Sequence, residues 1–174
     1  TGKRSNPGVL QIAKPLLYKA MNETILKGRV KQGLRIASGL NPDAPIKLGM
    51  RLNNTIALQR PFFVQAGVEG ISEMYNGTIN VDISPFKFQI LEPDYQVTCK
   101  WFEELSETFW FVKALIGYEG REYKSYIYYP CPSEVKSHDD DTVELLTQKI
   151  PGVAYGREIV FSVSAGKITV VQSS

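Results

Sequence analysis

From Ile25 to the end of the chain, short runs of β-branched and aromatic residues are interrupted every few positions by Gly, Pro, Asn or Asp. This punctuation constrains the fold more than any other feature. The runs are Ile25 to Ile36, Phe62 to Val68, Thr78 to Ile83, Phe86 to Leu91, Tyr95 to Phe102, Thr108 to Ile116, Glu122 to Tyr129, Glu158 to Val163 and Lys167 to Val171. So many short strands in 174 residues would leave long unpaired edges in an open sheet, and closure removes them. A mainly β domain built as a closed or nearly closed barrel is therefore expected. Ser164-Ala165-Gly166 suits a tight hairpin between the last two runs, and the polar loop Glu103 to Thr108, flanked by Trp101-Phe102 and Phe109-Trp110, suits a second.

Ahead of the strands, residues 1–8 are polar and read as a frayed arm. Val9, Ile12, Ala13, Leu16, Leu17, Ala20 and Met21 recur at helical spacing, and Pro15 places the start of a short N-terminal helix that ends before Thr24. Residues 9–174 read as one domain. Asn41-Pro42-Asp43-Ala44-Pro45 and Asn53-Asn54 mark a long excursion near 40–61. The charge balance, 20 Lys and Arg against 18 Asp and Glu, is too even to indicate a nucleic-acid or membrane surface. Two separated cysteines make no disulfide framework, so a reducing, cytoplasmic setting is expected, with a cleaved upstream signal compatible with Thr1 at the first position.

The segment richest in chemistry is Tyr75-Asn76-Gly77-Thr78-Ile79-Asn80-Val81-Asp82-Ile83. In a strand, Thr78, Asn80 and Asp82 share one face and Ile79, Val81 and Ile83 the other. A hydroxyl, an amide carbonyl and a carboxylate are hard oxygen donors, the kind Mg²⁺ takes one or two of beside substrate phosphates. The same letters also describe an ordinary amphipathic strand with its polar side in water. A second segment, Lys27-Gly28-Arg29-Val30-Lys31-Gln32-Gly33 with Arg35 and Ser38-Gly39, combines glycines that let backbone approach an anion with alternating cations. Twist and bulge glycines explain that pattern equally well. In the third, the acidic run Asp139 to Asp141 follows the single histidine, His138, and reads as a solvated loop. Glu144 beyond it lies among apolar residues, suited either to accept a proton from a hydroxyl or to a paired structural role. Asn22-Glu23-Thr24, Asn53-Asn54-Thr55 and Asn76-Gly77-Thr78 fit the glycosylation pattern, which keeps an extracellular β domain among the readings.

The order of these features resembles the archaeal-type CTP-dependent riboflavin kinases. It runs from Gly28-x-Val30 and Ser38-Gly39 through Gly77-Thr78-Ile79-Asn80, a strand ending at Pro130, His138, Val143-Glu144-Leu145-Leu146 and a final strand pair, spanning residues 25–171. The resemblance implies a small six-stranded cradle-loop barrel that moves the terminal phosphate of CTP, or another nucleotide, to riboflavin and gives FMN. It implies Mg²⁺ as cofactor, with Thr78 and Asn80 holding the metal and the phosphates. Lys27, Gly28, Arg29, Gly33, Ser38, Gly39 and Gly77 would cradle the nucleotide, and Glu144 would contact or deprotonate the acceptor hydroxyl. Tyr126, Tyr128, Tyr129, Trp101 and Trp110 are available to flank the flavin ring, with neither nucleic acid nor membrane as partner. The chain departs from the family pattern after Ser38-Gly39, where it continues as Leu40-Asn41-Pro42, and after Glu144, where it reads Thr147-Gln148-Lys149-Ile150-Pro151. A barrel that binds a nucleotide, flavin, sugar or protein without catalysis is the alternative.

Overall fold

A computed structural model describes residues 22–33, 46–47, 50–51, 54–102, 104–131 and 140–173. The expected arm, the N-terminal helix, part of the excursion, Ser38, Gly39 and His138 lie outside these residues, and the end of the excursion, 55–61, belongs to a helix rather than to a loop. In chain order the elements are β1 (Glu23–Lys31), β2 (Ile46–Lys47), β3 (Met50–Arg51), α1 (Thr55–Gln65), a 3-10 turn (Ile71–Glu73), β4 (Thr78–Asp82), β5 (Phe86–Ile90) and β6 (Tyr95–Phe102). They continue as β7 (Leu105–Tyr118), β8 (Arg121–Pro130), β9 (Thr142–Thr147), β10 (Glu158–Ser164) and β11 (Ile168–Gln172).

Six strands close into an antiparallel barrel in the order β10-β1-β4-β9-β8-β7, sealed by pairing of β7 with β10. Alternation sends Leu26, Val30, Val81, Val143, Leu145, Ile127, Val112, Ile116, Ile159 and Phe161 into one buried core. β7 is long enough to serve two partners on one edge: its second half pairs with β10 and its first half with β6. β6 and β7 form the expected hairpin, but with a tighter turn than Glu103 to Thr108, since the ladder runs down to Phe102 opposite Leu105.

A second core lies outside the barrel, where α1 covers β6, β7 and β8. Phe63, fully buried, meets Phe109 and Phe111 edge-on at centroid distances of 5.1 and 4.8 Å. This corrects the expectation of a strand over Phe62 to Val68. The aromatic run after Pro61 looks β-like, yet Ile56, Gln59 and Phe63 are buried at helical spacing. Gly67, at φ 81°, ends the helix by letting the Val68 and Gly67 N–H groups reach the Phe63 and Val64 carbonyls, and Val68 then packs in the same core as Phe63.

The turn at Ser164-Ala165-Gly166 is present, with Gly166 at φ 82°, but β10 and β11 do not pair across it. Both edges of β10 are taken by β1 and β7, so β11 pairs with β5 instead, in a ribbon whose Phe88, Ile90 and Ile168 join the barrel core. β9 had no sequence signature as a strand. Val143 and Leu145 face the barrel core and Leu146 the outer one, so both its sides are covered and the usual alternation is absent.

Candidate functional site

The polar side of β4 faces outward from the barrel, because its neighbours Val81 and Ile83 face the core. Strand register then assembles a row. Lys31 of β1 stands opposite Asn80 of β4, and Asn80 stands opposite Glu144 of β9. Thr78 pairs with Leu146, so it lies diagonal to Glu144, and its hydroxyl donates to Glu144 Oε1 at 3.0 Å. Thr78, Asn80 and Glu144 are all half-buried. The structure therefore brings together three residues that are 66 positions apart at their extremes.

Asn80 is packed on Gly33. A Cβ at Gly33 would collide with the Asn80 carboxamide, its nitrogen first, so glycine there makes room for this side chain. Gly28 does something different: it faces the barrel, and a Cβ would collide with the Asp82 carbonyl oxygen and the Val81 side chain. Its role in the fold is close approach of β1 to β4. Gly77 is buried just ahead of β4, where the Tyr75 N–H donates to the Thr147 carbonyl at 2.9 Å.

Asp82 leaves the row formed by the other two oxygen donors. It accepts the Ser84 N–H at 2.9 Å and lies 4.0 Å from Lys31. Hydrogen bonds from Ser84, with the Lys31 charge adding, hold its carboxyl below the usual range, so it serves the turn after β4. The cations of β1 are also engaged. Lys27 pairs with Glu158 at 2.9 Å and Arg29 donates to the Gly156 carbonyl at 3.3 Å. Lys27 sits four residues from Lys31, roughly 13 Å along the strand, so Lys31 is the cation beside Asn80.

Two residues of this neighbourhood escaped sequence reasoning as a pair. Tyr128, outward-facing on β8, donates its hydroxyl to Gln59 Oε1 of α1 at 2.8 Å, and both are buried. Gln59 occupies the buried helical spacing between Ile56 and Phe63, a polar residue at a core position, a signal hidden when the chain up to 61 reads as a surface excursion. Of the other aromatics, Trp101 and Tyr126 are buried in the outer core, Trp101 donating to Glu107 at 2.9 Å and Tyr126 to the Glu69 carbonyl at 2.8 Å. Trp110 and Tyr129 stack on each other at 6.1 Å and remain partly exposed.

Among the described residues no group of three or more His, Cys, Asp or Glu side chains is arranged to hold a metal ion. The Thr78 hydroxyl and the Asn80 amide oxygen nevertheless suit Mg²⁺, which takes one or two protein ligands and keeps waters and phosphate oxygens as the rest. The Thr78 hydroxyl spends its proton on Glu144, which leaves its lone pairs free to meet a cation. No protein-family model matches the chain, and no curated protein matches it. Among the described residues no helix is long and apolar enough to cross a membrane.

Proposed function

We propose that the protein is a Mg²⁺-dependent phosphotransferase resembling riboflavin kinase, which moves the terminal phosphate of CTP or another nucleotide to riboflavin. The observation that carries this reading is the Thr78–Glu144 hydrogen bond beside Asn80: residues expected to hold metal phosphate and to address the acceptor hydroxyl meet on one half-buried face. Thr78 and Asn80 would hold Mg²⁺, whose charge offsets that developing on the transferred phosphoryl group. Lys31, next to Asn80, adds a positive charge on the phosphate side. Glu144, oriented by Thr78, accepts the proton of the acceptor hydroxyl; this geometry suits positioning and general-base work and needs no covalent nucleophile.

A second reading has its own support. Lys27 and Arg29, expected to face phosphate, already have partners in Glu158 and the Gly156 carbonyl, which favours a barrel that binds a ligand without transferring phosphate. Incubation with riboflavin, Mg²⁺ and either CTP or ATP separates the two. Formation of FMN, lost in Thr78→Ala, supports the kinase. Flavin or nucleotide binding that is insensitive to Mg²⁺, with no FMN from any nucleotide, supports the binding barrel.

A further inference from the structure

Glu144 lies on β9, between β4 and β8 in the barrel. From the β4 side Thr78 holds one carboxylate oxygen. On the β8 side the ladder ends with Ile127 opposite Leu145, both facing the barrel core, so Tyr128 and Glu144, the next residue of each strand, share the outward face. Burial, with the Glu144 charge adding, pushes the Tyr128 phenol well above its ordinary range, so the hydroxyl stays a proton donor. The ring itself cannot turn freely. It stacks on Phe109 at 5.7 Å with planes 23° apart, meets Phe111 and Phe63 at 6.0 and 6.5 Å, and is tied at its tip to Gln59.

Gln59 is an expensive residue to keep there. It is wholly buried, and while its carbonyl accepts from Tyr128, its amide nitrogen has no hydrogen-bond partner. An orphaned buried donor forfeits its hydration with nothing in return, so core stability alone would favour an aliphatic side chain. We propose that Gln59 and Tyr128 are positioning residues for Glu144: Gln59 fixes the Tyr128 ring, and the ring walls in the carboxylate on the side away from Thr78. This rests on the reading that Glu144 serves the acceptor hydroxyl, and it makes α1 part of the site without contacting substrate.

The test uses the pair Tyr128→Phe/Gln59→Leu, which replaces both hydrogen-bonding groups by apolar ones of similar shape, a change near neutral for stability; Tyr128→Phe alone serves as the second variant. In the free protein, with side-chain carboxyls labelled with ¹³C and the Glu144 signal identified through Glu144→Gln, the Glu144 resonance is expected to shift in the paired variant while the other glutamates stay in place. In the riboflavin assay kcat is expected to fall about tenfold with the nucleotide KM unchanged, the pattern of a lost transition-state arrangement. An unmoved Glu144 resonance overturns the proposal whatever the assay shows, as does wild-type kcat in the paired variant. A shifted resonance in a protein whose wild type makes no FMN supports the contact and removes the kinase reading instead, so the two failures are distinguishable.

Discussion

The inside of the barrel and the layer beneath α1 are both closed to water, yet they are made differently. The interior is a cluster of aliphatic and aromatic side chains in which Val81, Val112, Ile116, Ile127, Val143 and Leu145 reach complete burial. The outer layer has equally buried phenylalanines, but Gln59, Glu107, Trp101, Tyr126 and Tyr128 are threaded among them. Polar groups in a dry layer are costly unless paired, and here Trp101, Tyr126 and Tyr128 each donate to a partner while the Gln59 amide nitrogen has none. This layer borders Glu144, and Thr78 closes the border from β4.

The sharpest way to break this contrast is to delete one ring from each layer. Phe161→Ala in the interior is expected to lower the unfolding free energy by about 3–5 kcal/mol, measured by urea denaturation. Phe63→Ala removes the same ring from the outer layer, and its loss of amide-exchange protection should be confined to α1 and β6. Equal loss through β1 and β10 would show one cooperative core instead of two.

Glu144→Gln should separate chemistry from packing. If the outer face is a phosphotransfer site, FMN formation falls about 100-fold while the urea midpoint barely moves; the reverse outcome makes Glu144 a structural partner of Thr78 and no more.

Two glycines of β1 and its exit sharpen the contrast further. Gly28→Ala forces a methyl into the β4 backbone and should cost about 1–3 kcal/mol. Gly33→Ala displaces only the Asn80 amide, so Mg²⁺-dependent nucleotide binding should weaken with little change in thermal midpoint.

The smallest effect belongs to Asp82. Its folded-state carboxyl is held below the unfolded value of about 3.9, so its ionised form favours the folded state. The contribution is present above that value and disappears as pH falls through the lower folded value. Wild type should therefore exceed Asp82→Asn slightly in unfolding midpoint at pH 6, and the difference should begin to shrink near the unfolded value of about 3.9 and vanish once the pH is below the folded carboxyl's own lowered value.

Much of the barrel was legible because period-two patterning and turn residues are local properties. β4, β5, β6 and β10 fall close to the expected runs, and Gly166 takes the left-handed conformation that its turn required. The failures have physical causes. β9 is covered on both sides, which erases alternation, and α1 carries Pro61 and two adjacent phenylalanines that imitate a strand until Phe63 meets Phe109 and Phe111. At the site, the shared face of Thr78 and Asn80 was legible from spacing alone. The contacts of Glu144 with β4, and of Tyr128 with Gln59, were not.

What the sequence determined by itself was therefore a mainly β architecture of many short strands and an oxygen-bearing face on β4, since both follow from local residue spacing. Only the tertiary structure decided which strand lies beside which: that β11 joins β5, that Asp82 serves a turn, that Lys31 and not Lys27 stands by Asn80, and that Gln59 of α1 meets Tyr128 of β8. Those choices depend on which edges and faces remain open after the barrel closes, and closure is a property of the whole chain.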